Sequence, residues 1–362
     1  MRSTVAVLKT TPQTVLDDIA RAMEMARFRA CLPRDAETIL KINISWQHYY
    51  PACSTTPWQF EGVTRTLAGA GYRGLIPAQN RTVVVDPEKG AVNNHLDSVL
   101  NKYGLQFQYL YKPTVKWIVY RPKGTLLVLD KVFPHGIQIP EVMLGRNAVH
   151  LPTMKTHVFT TTTGAMKNAF GGLLNDNRHW THSVIHETLV DLLMIQKEIH
   201  PGVFAVMDGT IAGDGAGPRA MVPHIKNYVL ASGDMVAIDA VAAKMMGFDP
   251  MSLRYIRIAH ERGLGKGDPR DIEIVGADTT QVNFGFKVKE TIASRGQKAI
   301  YHGFLKPFEH LLLRTWLVPW SYFASRLYHD VFWYNVVGRR RVKRILKTEW
   351  GALFQSYARR PS

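Results

Sequence analysis

The chain has 362 residues, 46% hydrophobic and 20% charged, which gives enough apolar surface for a substantial core and too much charge for a multi-span membrane protein. Two cysteines, Cys31 and Cys53, exclude a disulfide framework and cannot supply the four thiolates of an iron–sulfur cluster, so a reducing, cytoplasmic setting is expected. A formal net charge of +16 favours anionic partners, whether small molecules, nucleic acid or a membrane surface.

The pattern along the first part alternates between strand and helix. Met1–Lys9 reads as a first strand rather than a secretion signal, because its apolar run is too short. Val15–Met25 has helical spacing through Val15, Ile19 and Met23. Thr38–Ile44 reads as a strand, Trp58–Ala70 as a helix stopped by Gly71, and 74–77 as a short strand weakened by Pro77. His95–Tyr103 reads as helical, and Leu105–Leu110, Val115–Tyr120 and Thr125–Leu129 as extended. Further on, His182–His200 predicts a helix stopped by Pro201 and Gly202, and Val203–Met207 a buried strand ending at Asp208 and Gly209. Val236–Met246 predicts an Ala-rich helix, a further helix runs from Asp249 to Arg262, and Asp271–Val275 supplies a last strand. This alternation argues for an α/β fold with a mostly parallel sheet flanked by helices over 1–279, followed by a basic, aromatic helical extension over 280–362.

Four constellations carry chemistry. In the first, Lys155, His157, Lys167 and Asn168 are interleaved with small residues, including Gly164, Gly171 and Gly172. Small residues let a ligand approach the backbone, while lysine and histidine bring charge and proton transfer. His157 is expected to act as acid or base, Lys167 as anion clamp, covalent anchor or proton-transfer group, and Asn168 as an orienting amide. Solvated lysines beside a threonine-rich loop are the plainer alternative. In the second, His182 and His186 are four residues apart and would share a helical face, so they are candidate metal ligands, with His157, His179 or Asp208 as a further donor. Buried histidines bonded to backbone are the alternative there.

The third is Asp208 followed by Gly213, Gly215 and Gly217, a glycine-rich loop at a strand's carboxyl end, where open α/β sheets bind ligands. Pro218 and Pro223 set it apart from a dinucleotide fingerprint. The fourth is the tail. From Tyr301 onward there are 11 Lys/Arg against Glu309, Asp330 and Glu349, mixed with Leu311–Leu313, Trp316, Trp320, Tyr322, Phe323 and the Phe332–Tyr334 triplet. No run is long enough to span a bilayer. Aromatics flanked by arginines suit a helix on an anionic membrane surface, or helices packed over the core. Nucleic acid is disfavoured, since no recognition motif accompanies the basic run.

Several of these stretches, in order, resemble the DUF362 family: Leu151–His157, Thr163–Gly172, a histidine opening the next helix, Asp208 with Gly213–Pro218, and Asp234–Val241 with Met246–Pro250. The family's Lys-Pro-Asn appears as Lys41-Ile-Asn43, which brings Asn43 into the candidate site. Many relatives carry a ferredoxin-type cysteine cluster that this chain lacks. The ten-residue spacing of His157 and Lys167 is also similar to the cofactor-binding domain of nickel-pincer lactate racemases, where the resemblance implies a cofactor-anchoring lysine, an acid/base histidine and a further histidine ligand. Together these readings predict an enzyme that binds an anionic small molecule or cofactor through Lys155, Asn43, the glycines, Asp208 and Asp239, with a divalent metal or metal-organic group as the candidate cofactor. The reaction expected is proton transfer beside a carboxylate. The alternatives are a non-catalytic protein held peripherally at the inner face of the membrane, and a redox accessory.

Overall fold

The computed structural model describes residues 2–82, 84–291, several positions between 295 and 306, and 326–358. The aromatic residues expected at Leu311–Leu313, Trp316, Trp320, Tyr322 and Phe323 lie outside the described residues.

Twelve strands are present among the described residues: β1 (Ser3–Lys9), β2 (Thr38–Ile42), β3 (Leu75–Gln79), β4 (Gln108–Tyr109), β5 (Trp117–Tyr120), β6 (Ile137–Pro140), β7 (Asn147–Leu151), β8 (Thr153–His157), β9 (Thr161–Thr162), β10 (Val203–Ala216), β11 (Ala220–Ser232) and β12 (Ile272–Gly276). Ten of them form one mixed sheet with the order β12-β1-β11-β10-β7-β2-β3-β4, and β8 and β9 branch from β10. β5 and β6 pair separately. The contiguous set β10-β7-β2-β3-β4 is parallel, with Ile39 beside Ala148 on one side and Ile76 on the other. β2 and β7 are buried throughout, as parallel strands covered on both faces must be.

Alternation along the strands sorts two cores. Val5, Val7, Ile39, Ala205 and Met207 belong to one, under the helices Ile185–Ile199 and Met235–Met246. Ala6, Leu8, Leu40, Ile42, Phe204 and Val206 belong to the other, under Val15–Met25 and Pro57–Gly69. Pro57 follows the cap Thr56, whose hydroxyl accepts from Gln59 N at 3.3 Å, so the second of these helices begins where its sequence dictates. The tail closes over the second core. Trp333 packs on Trp46 and Tyr50, Trp350 on Trp58, and Phe354 stacks on Tyr49 at 3.8 Å.

Three expectations are corrected. Thr125–Leu129 is not a strand: the Asp191 carboxylate accepts from Leu127 N, Val128 N and Leu129 N, which starts a short helix over Leu129–Val132 instead. The helix expected over His182–His200 begins at Ile185, and Asp176–Val184 is a 3-10 segment. There the rings of His179 and His182 donate from Nδ1 to the carbonyls of Asp176 and His179, competing with the helical ladder. The glycine-rich loop after Asp208 is also no loop. β10 continues to Ala216 and pairs antiparallel with β11, absorbing one irregularity between Gly209 and Ile211.

Candidate functional site

The carboxyl ends of β2, β3 and β8 open into a cavity of about 300 Å³, the location that open α/β sheets give to ligands. Lys41, Asn43, Gln79, His157, Lys167, Asn168, Arg178, His179, His182 and Arg219 contribute its polar surface, while Phe159, Phe170 and Tyr301 form aromatic wall.

Lys41 shares a face of β2 with Ile39, so strand periodicity drives its ammonium inward. It donates to Ile42 O at 2.5 Å and to the Gln79 side-chain carbonyl. The double glycine makes room for it, since a Cβ at Gly172 would lie 2.7 Å from Lys41 Cε. Burial holds Lys41 well below the ordinary lysine range, and the charge of Arg178 adds to this.

Lys167 comes from the 3-10 turn Met166–Ala169. Gly164 enters that turn at φ +68°, and the Asp239 carboxylate receives Ala165 N at 2.5 Å and Met166 N at 3.1 Å. A side chain at Gly164 would collide with that carboxylate, at 2.3 Å from Oδ2. Asn168 ties the turn to the end of β2, donating to Lys41 O at 2.8 Å. Among the described residues the Lys167 ammonium has no hydrogen-bond acceptor, and its contact is the Phe170 ring at 4.9 Å. Burial, then the charges of Lys155 and Arg178, bring its pKa down to about 7. Arg219 Nη1 is likewise buried without an acceptor. Burial lowers the Arg219 pKa against the opposing charges of Asp330 and Cys53.

Two of the cavity histidines, His157 and His182, are in complementary states. His157 Nδ1 accepts from Phe159 N at 3.2 Å, so it carries no proton. Burial and the charges of Lys167, His182, Lys155 and His186 hold His157 well below its ordinary pKa, so the neutral ring bears its proton on Nε2 and donates from there. His182 is reversed: its Nδ1 donates to His179 O at 3.0 Å, and burial followed by the Lys167 charge lowers it to about 3, leaving Nε2 bare. His182 stacks on Tyr301, whereas His186 stacks on Tyr255 and does not border the cavity.

The other expected residues are placed as follows. Asn43 and Gly171 border the cavity. Lys155 lies beneath it, fully buried, donating to Cys53 O at 2.6 Å and Thr153 Oγ1 at 2.8 Å, with its pKa lowered to about 8 by burial. Asp208 is buried away from the cavity and accepts from Thr56 Oγ1 at 2.5 Å and from Thr210 N and Oγ1 at 2.8 and 2.6 Å. Gly213 and Gly217 serve packing, since a Cβ would lie 2.5 Å from Met221 Sδ and 1.7 Å from Thr156 O respectively. Gly215 is paired to Met221 in the hairpin.

Sequence reasoning did not single out Lys41, Gln79, Arg178 or Arg219. Lys41 had a readable signal, a charge inside an otherwise apolar parallel strand. The two arginines had none, because they reach the cavity from separate turns. Asp176 is the one carboxylate on the cavity lining described, and it is engaged by Arg81 at 2.7 Å. Among the described residues no three His, Cys, Asp or Glu side chains are grouped to hold a metal ion.

Comparison with known proteins adds two findings. Over 139 residues the chain is 28% identical to Thylakoid-associated protein sll1697 of Synechocystis sp., a match covering 36% of this chain and 42% of that protein, so the chain spans less than half the length of this relative. No solved structure matches. The family model described as "Domain of unknown function (DUF362)" matches residues 38–244, from the start of β2 into the helix Met235–Met246, which carries every cavity residue named above except Tyr301; the chain belongs to the DUF362 family.

Proposed function

We propose that the cavity binds a small carboxylate and transfers a proton at the carbon next to it. The observation that carries this reading is the charge balance. Lys41, Lys167, Arg178 and Arg219 surround the cavity, and its one lining carboxylate is already paired outward. Two of these groups, the Lys167 ammonium and Arg219 Nη1, have no acceptor among the described residues, and a cation under low-dielectric walls is costly unless an anion completes it.

Of the expected roles, proton transfer falls to Lys167 and not to His157. A neutral His157 that already spends Nδ1 on Phe159 N is a hydrogen-bond donor through Nε2, not a base. Lys167, with a pKa near 7 and no acceptor, has a populated neutral amine at physiological pH. In the proposed reaction Arg178, Arg219 and Lys41 hold the carboxylate. The Lys167 amine takes the proton from the adjacent carbon, the C–H electron pair moves onto the carbonyl oxygen, and the His157 N–H stabilises the oxyanion. The Lys167 ammonium, after exchange with solvent, returns a proton to the same carbon and the oxyanion collapses, so the step exchanges the α-proton with no net redox change.

A bare divalent cation does not fit this donor set, because four cationic side chains border the space and among the described residues no three His, Cys, Asp or Glu side chains are grouped to hold it. An anionic organic cofactor would meet the same charges as an anionic substrate. A membrane location, carried over from the description of the Synechocystis relative, is a second and separate proposal. No helix among the described residues is long and apolar enough to cross a membrane.

The test is solvent exchange. A panel of 2-hydroxy, 2-amino and 3-oxo carboxylates is incubated in deuterated buffer with wild type and Lys167→Met, and loss of the α-proton signal is followed by NMR. Washout by the wild type alone is expected. Binding of carboxylates without any washout would leave a binding protein and remove the catalytic reading.

A further inference from the structure

A second surface carries an independent message. The helix Leu327–Gly338 is wound in π fashion, with i→i+5 bonding that places residues four and five apart on one side. One side bears His329, Trp333 and Gly338, which are buried. Trp46 Nε1 and Gln47 Nε2 both donate to Asp330 at 2.6 Å, and Tyr334 stacks on His48, so the helix is docked at several points. The other side bears Leu327, Val331, Phe332 and Val336, with exposures of 49, 59, 58 and 47%. Four of the seven exposed large hydrophobic residues described thus fall on twelve residues of chain. Scattered single apolar residues are ordinary, but a stripe is not.

The helix runs on into Arg339–Leu346, where Val342 and Ile345 face the core and Arg339, Arg340, Lys343 and Arg344 are exposed. From Val331 to Thr348 there is no acidic residue, against Arg339, Arg340, Arg341, Lys343, Arg344 and Lys347. Arg341 is used internally, donating to Met221 O at 2.7 Å. The others form no ion pair among the described residues.

We propose that this face, the Leu327–Val336 stripe with the Arg339–Arg344 cations beside it, seats the protein on an anionic lipid bilayer. An exposed apolar stripe continuous with an unneutralised basic helix matches the headgroup–acyl boundary, where aliphatic and aromatic side chains enter and cations meet lipid phosphates. A second copy of the chain is a poor occupant, because the same cations would face each other across a two-fold contact. The proposal does not depend on the cavity or its chemistry.

The experiment is co-sedimentation of the full chain with phosphatidylcholine vesicles and with vesicles containing phosphatidylglycerol, each at about 0.1 and about 1 M salt. The variants are the double substitution Val331→Asp/Phe332→Asp and the double substitution Arg340→Gln/Arg344→Gln, all at exposed positions, with circular dichroism to confirm folding. Wild type is expected on phosphatidylglycerol vesicles and to be released at high salt. Each cation removed should weaken partitioning roughly fivefold, and the aspartate pair should abolish it. Equal sedimentation of wild type and both variants would overturn the proposal. So would a wild type that ignores vesicles and forms a dimer in light scattering that Val331→Asp/Phe332→Asp dissolves.

Discussion

Two buried charge sites, one on each side of the sheet, follow opposite logic. Under the tail, Glu61 is fully buried, yet it receives Lys102 Nζ at 2.5 Å and the Tyr357 hydroxyl at 2.5 Å. In the cavity Lys167 has only an aromatic ring, and Lys41 only neutral oxygens. A charge that is matched from within the fold serves the fold. A charge left for something else to match marks the place where a ligand is expected.

The largest expected effect that would break this contrast concerns Lys167. Lys167→Met should lower α-proton exchange by about 10²–10⁴-fold, the usual range for a lost acid/base group. It should also leave thermal stability equal or slightly higher, since it removes a half-buried cation without a hydrogen-bond acceptor. A large drop in Tm would show Lys167 to be a structural residue like Glu61. Next comes His157. His157→Ala should cost about 10²-fold in rate, the scale of a lost oxyanion donor, whereas His157→Gln, which keeps an N–H near the same place, should recover about half of that loss on a logarithmic scale. Equal rates for the two variants would argue against the donor role.

On the other side of the comparison, Glu61→Ala should destabilise by about 2–3 kcal/mol through lost hydrogen bonds and a small cavity. Carboxylate affinity, read by calorimetry, should stay within about twofold. A further effect is the pH dependence of stability. Lys167 is lowered from 10.5 to about 7, so between these values the unfolded chain binds more protons and stability rises with pH. Asp239 is raised from 3.8 to about 7 by burial, so the folded chain binds more protons in that window and stability falls as pH rises through it. His157 and His182, also held below their ordinary pKa, make the unfolded chain bind more protons in acid as well, so Asp239 offsets only part of the trend and stability of the ligand-free protein should rise with pH. Lys41 and Lys155 share the rise above neutral pH, so Lys167→Met should lessen that rise without abolishing it and leave the acid side unchanged, which urea titrations across pH would resolve.

The roles of the three acidic and glycine-rich expectations show where local pattern misleads. Asp208 and Asp239 both read in sequence as ligand-binding acids, the first before a glycine-rich segment and the second within the Ala-rich helix. In the fold each is consumed by its own scaffold, Asp208 by Thr56 and Thr210, Asp239 by the turn that presents Lys167. The glycines after Asp208 signalled close approach correctly, but what approaches is Met221 and Thr156 rather than a ligand.

By itself the sequence determined the alternating α/β architecture, because hydrophobic periodicity and helix stops are local and the buried parallel strands read as apolar runs. It also singled out the His157–Gly172 segment, which the structure places along the cavity, since lysine and histidine interleaved with small residues are a local signal. Only the tertiary structure decided the rest. Arg178 and Arg219 reach the cavity from turns far apart in the chain, and the tautomers of His157 and His182 depend on which backbone group each ring meets. Charge balance in a cavity is a sum over residues that share space without sharing sequence. For that reason the lone lysine in β2 became interpretable only once its neighbours could be counted.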